Sequence, residues 1–294
     1  MENIILHAGN AHATISPLGA EMTSYVSEDG KERIWEGSPA VWKNHGPILF
    51  PVVGSLRDGK ARVDGKTYAI EKHGFARRST FRVEKQGEDF VEMCLASNEE
   101  TRALYPFDFE LYVTHTIWKT GFRTSYVIKN TSSIPLPALI GGHPAFVCPM
   151  EAGEKFEEYE LVFPKGEDGE NSLVDERGLI ADKEILHLID GKRLPLRYEF
   201  FDQKDALILT HLVSRQVNLV HKKTGKGLQF SFPDYPVLGV WSKPGMRAPY
   251  VCLEPWMGIP DRAEKDVELK DKDYVALISP MQCKRLEYEM ELIL

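Results

Sequence analysis

The chain has 294 residues, 43% of them hydrophobic and 27% charged, with a net charge of −8 and a pI near 5.7. This balance fits a globular protein with a sizeable core. The acidic surplus argues against a nucleic-acid protein and against an anionic membrane surface as partner, because both demand a concentrated basic face.

The first residues, MENIILHAGNAHATI, lack a basic stretch followed by a long apolar run and a small-residue cleavage site, so no secretory leader is expected. No apolar run approaches a membrane span. Cys94, Cys148, Cys252 and Cys283 are scattered without CxxC spacing. They read as buried free thiols of a cytoplasmic protein, not as a disulfide frame or zinc site. The sequon Asn130-Thr131-Ser132 accordingly carries little meaning as a glycosylation site.

Along the chain, strands dominate. Short runs at 12–16, 80–84 and 90–96 precede a clear period-2 segment at 110–118, where Leu111, Val113, His115 and Ile117 alternate with Tyr112, Thr114, Thr116 and Trp118. Further runs lie at 123–129, 206–213, 216–221, 228–232, 249–254 and 273–279. The last, at 284–292, sets Leu286, Tyr288, Met290 and Leu292 toward a core and Arg285, Glu287, Glu289 and Glu291 toward water. Turn signals such as Asp64-Gly65, Thr120-Gly121 and Thr224-Gly225 punctuate them. Helical pattern is sparse: Asn98 caps one short turn up to Leu104, and 150–158 suggests another. Two stretches read as loops, 35–60 and 147–182. Without strand–helix alternation a doubly wound sheet is excluded, and no linker divides the chain. The expectation is an all-β fold, a single large antiparallel β-sandwich domain over 1–294 with few short helices. Monomer and homodimer both stay open.

Three titratable groups sit in unusual contexts. His143, in Gly141-Gly142-His143-Pro144, is held by backbone-restricting neighbours, off any regular helix face. The glycines are expected to bring the backbone close to whatever binds there. His73 precedes Gly74 just before a strand. Glu254 follows the mostly apolar Tyr250–Leu253 and precedes Pro255, which is expected to stop the ladder and leave the carboxylate at a strand end. Singly, each also fits a turn or a satisfied ion pair. His115 fits a core position, and His7, His12, His187 and His221 fit surface or edge positions. No GxSxG elbow, phosphate loop, HExxH or paired CxxC is present, so a nucleophilic-serine hydrolase, a nucleotide enzyme and a zincin are unsupported. A facial triad of His73, His143 and Glu254 for iron is disfavoured by spacings of 70 and 111 residues. No metal and no cofactor are expected.

Four segments then occur in order: Asn44-His45-Gly46-Pro47-Ile48-Leu49-Phe50-Pro51-Val52-Val53-Gly54, HGFAR at 73–77, GGHPAF at 141–146 and LEPWMG at 253–258. Together with Tyr105-Pro106-Phe107 and the closing strand, the chain resembles the aldose 1-epimerase (galactose mutarotase-like) family over nearly its full length, and its LacX-like branch most closely. The resemblance implies a β-supersandwich and cofactor-free interconversion of the α and β anomers of a hexose. It implies His143 as general acid at the ring oxygen and Glu254 as base at the C1 hydroxyl. His73, Arg77 and Asp205 would contact the sugar. Trp256 offers it an apolar face, while Phe146 fits the core better. Many relatives carry Gly-Arg where this chain has Gly54-Ser55, and Arg57 is the nearby guanidinium that would stand in. A hexose-6-phosphate 1-epimerase, using Arg57, Arg77 or Arg78 against the phosphate, and a non-catalytic carbohydrate-binding protein are the alternatives. The pairing of an imidazole with a carboxylate suits the reaction, since ring opening gives one proton and takes another.

Overall fold

The computed structural model describes residues 2–294. Two antiparallel sheets make the body. The nine-stranded sheet runs, neighbour to neighbour, Arg193–Pro195, Tyr159–Val162, Gln216–His221, Gly227–Ser231, Cys283–Ile293, Gly121–Asn130, Phe109–Trp118, Phe90–Ala96 and Arg82–Gln86. The seven-stranded sheet is centred on Tyr250–Met257, which pairs on one side with Val237–Trp241 and then with Ala206–Leu209, Glu170–Val174 and Ile180–Ile185. On its other side two short segments, Ile140–Gly141 and Ala145–Val147, pair with it in turn. A meander of Ile4–Ala8, Ala11–Ser16 and Glu21–Val26 and two two-stranded ribbons complete the strands.

Side-chain alternation explains why these strands form. In Phe109–Trp118 every second residue from Phe109 to Ile117 is buried, and in Cys283–Ile293 Leu286, Tyr288 and Met290 are buried while Leu292 is half-buried. These faces meet Leu207, Val240, Val251 and Leu253 of the other sheet in one continuous apolar cluster. Phe146 bridges the layers against Phe122 and Phe230, at ring separations of 6.4 and 5.6 Å. Each such buried ring contributes about 1.5–3 kcal/mol by removal from water. Phe146 is therefore core. Among the described residues no helix is long and apolar enough to cross a membrane.

The expected short helix is present over Glu99–Leu104, with Asn98 and Thr101 exchanging side-chain and backbone hydrogen bonds as a capping box. The sequence missed a second helix, Tyr198–Lys204, and the 150–158 segment holds only a short 3-10 turn over Phe156–Glu158. The stretch 147–182 is no loop. It contains Tyr159–Val162 and Glu170–Val174 and the start of Ile180–Ile185, whose turn residues and charges hide the alternation. By contrast 35–56 is indeed irregular. His221 is buried, not superficial, and Cys283 is exposed while Cys94, Cys148 and Cys252 are buried. Asn130 is buried, its amide donating to the carbonyls of Ile134 and Ile278.

Candidate active site

Val251 and Leu253 point into the inter-sheet core, so Tyr250, Cys252, Glu254 and Trp256 point to the opposite face of the same strand. The irregular segment 35–56 covers that face. Between them lies a cavity of about 280 Å³, lined among others by Trp42, Asn44, Lys72, His73, Arg77, His143, Asp205, Trp241, Glu254 and Trp256.

His143 reaches this cavity because the sheet edge is interrupted. Gly142–Pro144 bow out between the two short paired segments, and the break is pinned at both ends to the strand of Glu254. The Gly142 N–H donates to Pro255 O and the Leu253 N–H donates to Pro144 O, both at 3.2 Å. Pro255 does not end that strand, which continues to Met257. Its missing N–H falls on the side of Gly142, whose own N–H donates to Pro255 O, so only one of the two bonds of that pair can form. The glycines do not open space for a ligand. A Cβ on Gly141 would lie 2.6 Å from Trp256 Cδ1, and one on Gly142 would lie 2.6 Å from Tyr288 Cε1, so both make room for the protein's own aromatic rings.

Register brings His143 Nε2 to 3.1 Å from Glu254 Oε2, yet the two are not aligned as a hydrogen bond and Oε2 has no partner. Glu254 is 2% and His143 8% exposed. Burial pushes the Glu254 carboxyl well above the carboxylate range, against the positive Lys72 and with the negative Asp205. Burial likewise pulls His143 far below the ordinary imidazole value, with Lys72 and Arg77 adding to the effect. Both directions favour a neutral carboxyl beside a neutral imidazole.

His73 sits at positive φ (67°) in the Lys72–Gly74 turn, 5.9 Å ring to ring from His143. Its N–H donates to Gly54 O at 2.9 Å, and the Gly54 N–H donates back to its Nδ1 at 3.1 Å. Because Nδ1 accepts, the proton resides on Nε2. Burial, followed by the charges of His143, Lys72 and Arg77, holds the ring well below its ordinary value, so it stays neutral. His73 is thus a fixed neutral donor.

Arg77 hangs from the Ala76–Arg78 turn with Nη2 donating to Lys72 O at 3.0 Å and a buried Nε without partner. Asp205 ends the Tyr198–Lys204 helix and accepts the Trp241 indole N–H at 3.1 Å, so it is at once a turn aspartate and a cavity residue. Trp256 presents a buried, unpartnered Nε1. Arg57 does not line the cavity; its backbone N–H is held by Asp261 Oδ2 at 3.0 Å, and it does not replace the arginine absent at Ser55. Arg78 also lies outside, paired with Glu71. His115 is a satisfied core histidine between Ala20 O and Thr124 Oγ1, its pKa lowered by burial to about 4. A triad of His73, His143 and Glu254 is not what the described residues gather; the compact donor set is His143, Cys252 and Glu254.

Sequence reasoning missed Trp42 and Trp241, whose rings flank His143 at 5.0 and 5.6 Å, and it missed Lys72. The signal available for Trp42 was its place two residues before the Asn44–Gly54 motif. Nothing local marks Trp241 out from any strand tryptophan.

The residues 2–265 match the family model described as aldose 1-epimerase. Protein LacX of Lactococcus lactis is 34% identical over 284 residues, 94% of each chain. The chain belongs to the aldose 1-epimerase family. Among solved structures, a galactose mutarotase related enzyme from Lactobacillus acidophilus is 28% identical with a TM-score of 0.92, covering 100% of this chain and 98% of its own. A galactose mutarotase-like protein from Lactobacillus casei is also 28% identical with a TM-score of 0.92, over 99% and 100%. The fold is the galactose mutarotase-like β-sandwich.

One support of this family member's site lies outside it. Glu21 Oε1 accepts the N–H groups of His45 and Gly46 at 2.7 and 2.8 Å, and Gly46 packs against Pro144 closely enough that a Cβ would lie 3.3 Å from Pro144 Cα. Glu21 thereby ties the segment carrying Trp42 and Asn44 to the His143 break. Hydrogen bonds to a charged acceptor are worth about 1.5–3 kcal/mol each. Glu21→Ala is expected to raise KM and lower kcat by about tenfold, whereas Glu21→Gln, which keeps one carbonyl acceptor, restores most of both. Steady-state mutarotation kinetics on the two variants checks this.

Proposed function

We propose that the chain is an aldose 1-epimerase that interconverts the α and β anomers of a free hexose, with His143 and Glu254 as its proton-transfer pair and no bound cofactor. The observation that carries this reading is the 3.1 Å approach of the two groups inside a monosaccharide-sized cavity. Around them, Glu254 Oε2, Arg77 Nε and Trp256 Nε1 are buried without partners. Orphaned donors and acceptors of this kind call for a ligand dense in hydroxyls, since each left unpaired costs about 1–3 kcal/mol. Trp42 and Trp241 supply apolar surface for C–H faces. The unpaired buried thiols suit a reducing cytoplasm.

With the proton on His143, the imidazolium gives it to the ring oxygen as the C1–O5 bond breaks, and Glu254 takes the C1 hydroxyl proton. The open aldehyde then faces a neutral imidazole and a carboxylic acid, the form that burial favours for both groups. After rotation about C1–C2, Glu254 returns its proton to the carbonyl oxygen while the O5 hydroxyl attacks C1 from the other face and its proton passes to His143. Atoms and protons balance over the cycle. The sugar's own hydroxyls offset the cost of charge separation in the cyclic complex. His73 Nε2–H, Arg77 and Asp205 bind the sugar.

Freshly dissolved α-glucose and α-galactose, followed by polarimetry or NMR, should relax faster with the protein than without it. Because the pair functions with one proton, its rate is expected to be level through neutrality. Loss on the acid side needs a second proton on a histidine whose affinity burial has lowered, so it falls below the ordinary value of 6.5. Loss on the alkaline side needs the last proton to leave a carboxyl that burial has raised. An inflection of kcat near 6.5 would count against the buried pair. The same assay on a hexose 6-phosphate tests the second reading, which Lys72, Arg77 and Lys243 on the cavity wall favour. Acceleration of neither sugar would leave a carbohydrate-binding protein.

A further inference from the structure

The Cys252 thiol is a buried nucleophile that proton transfer does not use, and it lies directly beside the pair. One donor atom each from His143, Cys252 and Glu254 falls within 4.8 Å of the other two, and all three residues are buried. Cys252 and Glu254 are there because they alternate on one strand face, and His143 because Ala145, two residues after it, is the register partner of Cys252.

We propose that these three side chains form an inhibitory site for a thiophilic divalent cation, zinc foremost, which competes with the sugar. Imidazole, thiolate and carboxylate are the three donor types that zinc takes, at about 2.0–2.3 Å, which sets neighbouring donors roughly 3.3–3.8 Å apart in a tetrahedron. Closing from 4.8 Å needs rotamer adjustments of about an ångström. A thiolate and a carboxylate cancel the double positive charge, so the buried site carries no net charge when loaded. The donor set is soft enough to reject magnesium and calcium, which demand oxygen ligands. Glu254 supplies an unpartnered Oε2 aimed at the cluster, and no other protein donor satisfies it. Lys72 and Arg77 on the cavity wall oppose the cation's entry, so binding depends on the thiolate. Three protein ligands leave a fourth position open to water. Loading removes both members of the proton-transfer pair at once, and this competition rests on the reading of that pair given above.

The test uses chelator-washed, full-length protein and the metal alone. Cobalt(II), as a spectroscopic substitute for zinc, is expected to give a thiolate-to-cobalt charge-transfer band in the near ultraviolet. That band reads sulfur ligation in the unaltered protein and needs no sugar activity. Zinc chloride is expected to slow mutarotation competitively with sugar, with recovery on adding EDTA. Cys252→Ala is expected to keep basal activity while its zinc inhibition weakens by about tenfold or more. Calorimetric zinc titration of Cys252→Ala and Glu254→Gln is expected to show weakened binding in both. Absence of the cobalt band, or equal zinc affinity in the unaltered protein and Cys252→Ala, overturns the proposal. Equal affinity would mean an ion held by the imidazole and carboxylate alone. Should no mutarotase activity be found, the band and the calorimetry still decide whether the site binds metal.

Discussion

His143→Ala and Glu254→Gln are each expected to slow anomer interconversion by about 10²–10⁴-fold, the usual worth of one positioned acid or base. The double variant is expected to be little slower than the worse single one, because neither group has a function without the other. Stability separates this from misfolding. Burial favours the neutral form of the Glu254 carboxyl, so a near-isosteric neutral amide introduces no new buried charge. Thermal midpoints of Glu254→Gln are therefore expected to hold while activity falls. Polarimetric rates and thermal unfolding measured on the same preparations check both halves. Near-full activity in either variant would remove that residue from the proton path.

Gly54→Ala is expected to damage both fold and rate. Gly54 has φ of +71°, and a Cβ there would lie 2.3 Å from Pro260 Cγ. The left-handed backbone costs a non-glycine residue about 1 kcal/mol, and forcing the Gly54 and Pro260 loops apart adds about 1–3 kcal/mol. Its N–H also fixes the His73 tautomer, so a shift of this loop turns the donor away from the sugar. A misplacement of about 1 Å costs up to about 10²-fold in rate. Gly59→Ala is the control: φ is +65° but no atom lies within 4 Å of the added Cβ, so only the backbone cost is expected and the rate is unchanged. Denaturant unfolding and kinetics on both variants measure the difference.

Much of the architecture is written in local pattern. Phe109–Trp118 and Cys283–Ile293 follow from alternation within two residues, because each has one buried and one wetter face, and Phe90–Ala96 and Gln216–His221 follow as short apolar runs. The method fails where burial is two-sided or turns are dense. Val237–Trp241 is buried at four of its five positions, so alternation cannot mark it. Glu170–Val174 and Ile180–Ile185 lie at a sheet edge among charges and glycine turns and read as loop. Pro255 looks like a terminator because sequence cannot show that the strand is carried past it by pairing on its other side with Val237–Trp241.

The candidate site was legible as motifs, not as distances. His73, His143 and Glu254 each stood out by context, whereas their convergence depends on register between strands a hundred residues apart. Arg57 was chosen for charge and proximity in sequence, but it is not among the residues that line the cavity. Trp42 is marked only by its nearness to the Asn44–Gly54 motif, and Trp241 has no local signature. A ring's role on a cavity wall is set by which sheet face it leaves, which only the paired strands decide.

The interrupted sheet edge has a consequence for how this site ages and fails. His143 and Glu254 are mounted on hydrogen-bonded partners within one sheet, with Gly142 and Pro144 tied to Pro255 and Leu253. No hinge lies between them. Their separation is thus a property of the cooperative unit as a whole, and local fraying of a surface loop leaves it intact. The spacing of His143 and Glu254 is therefore expected to persist until the sheet itself comes apart.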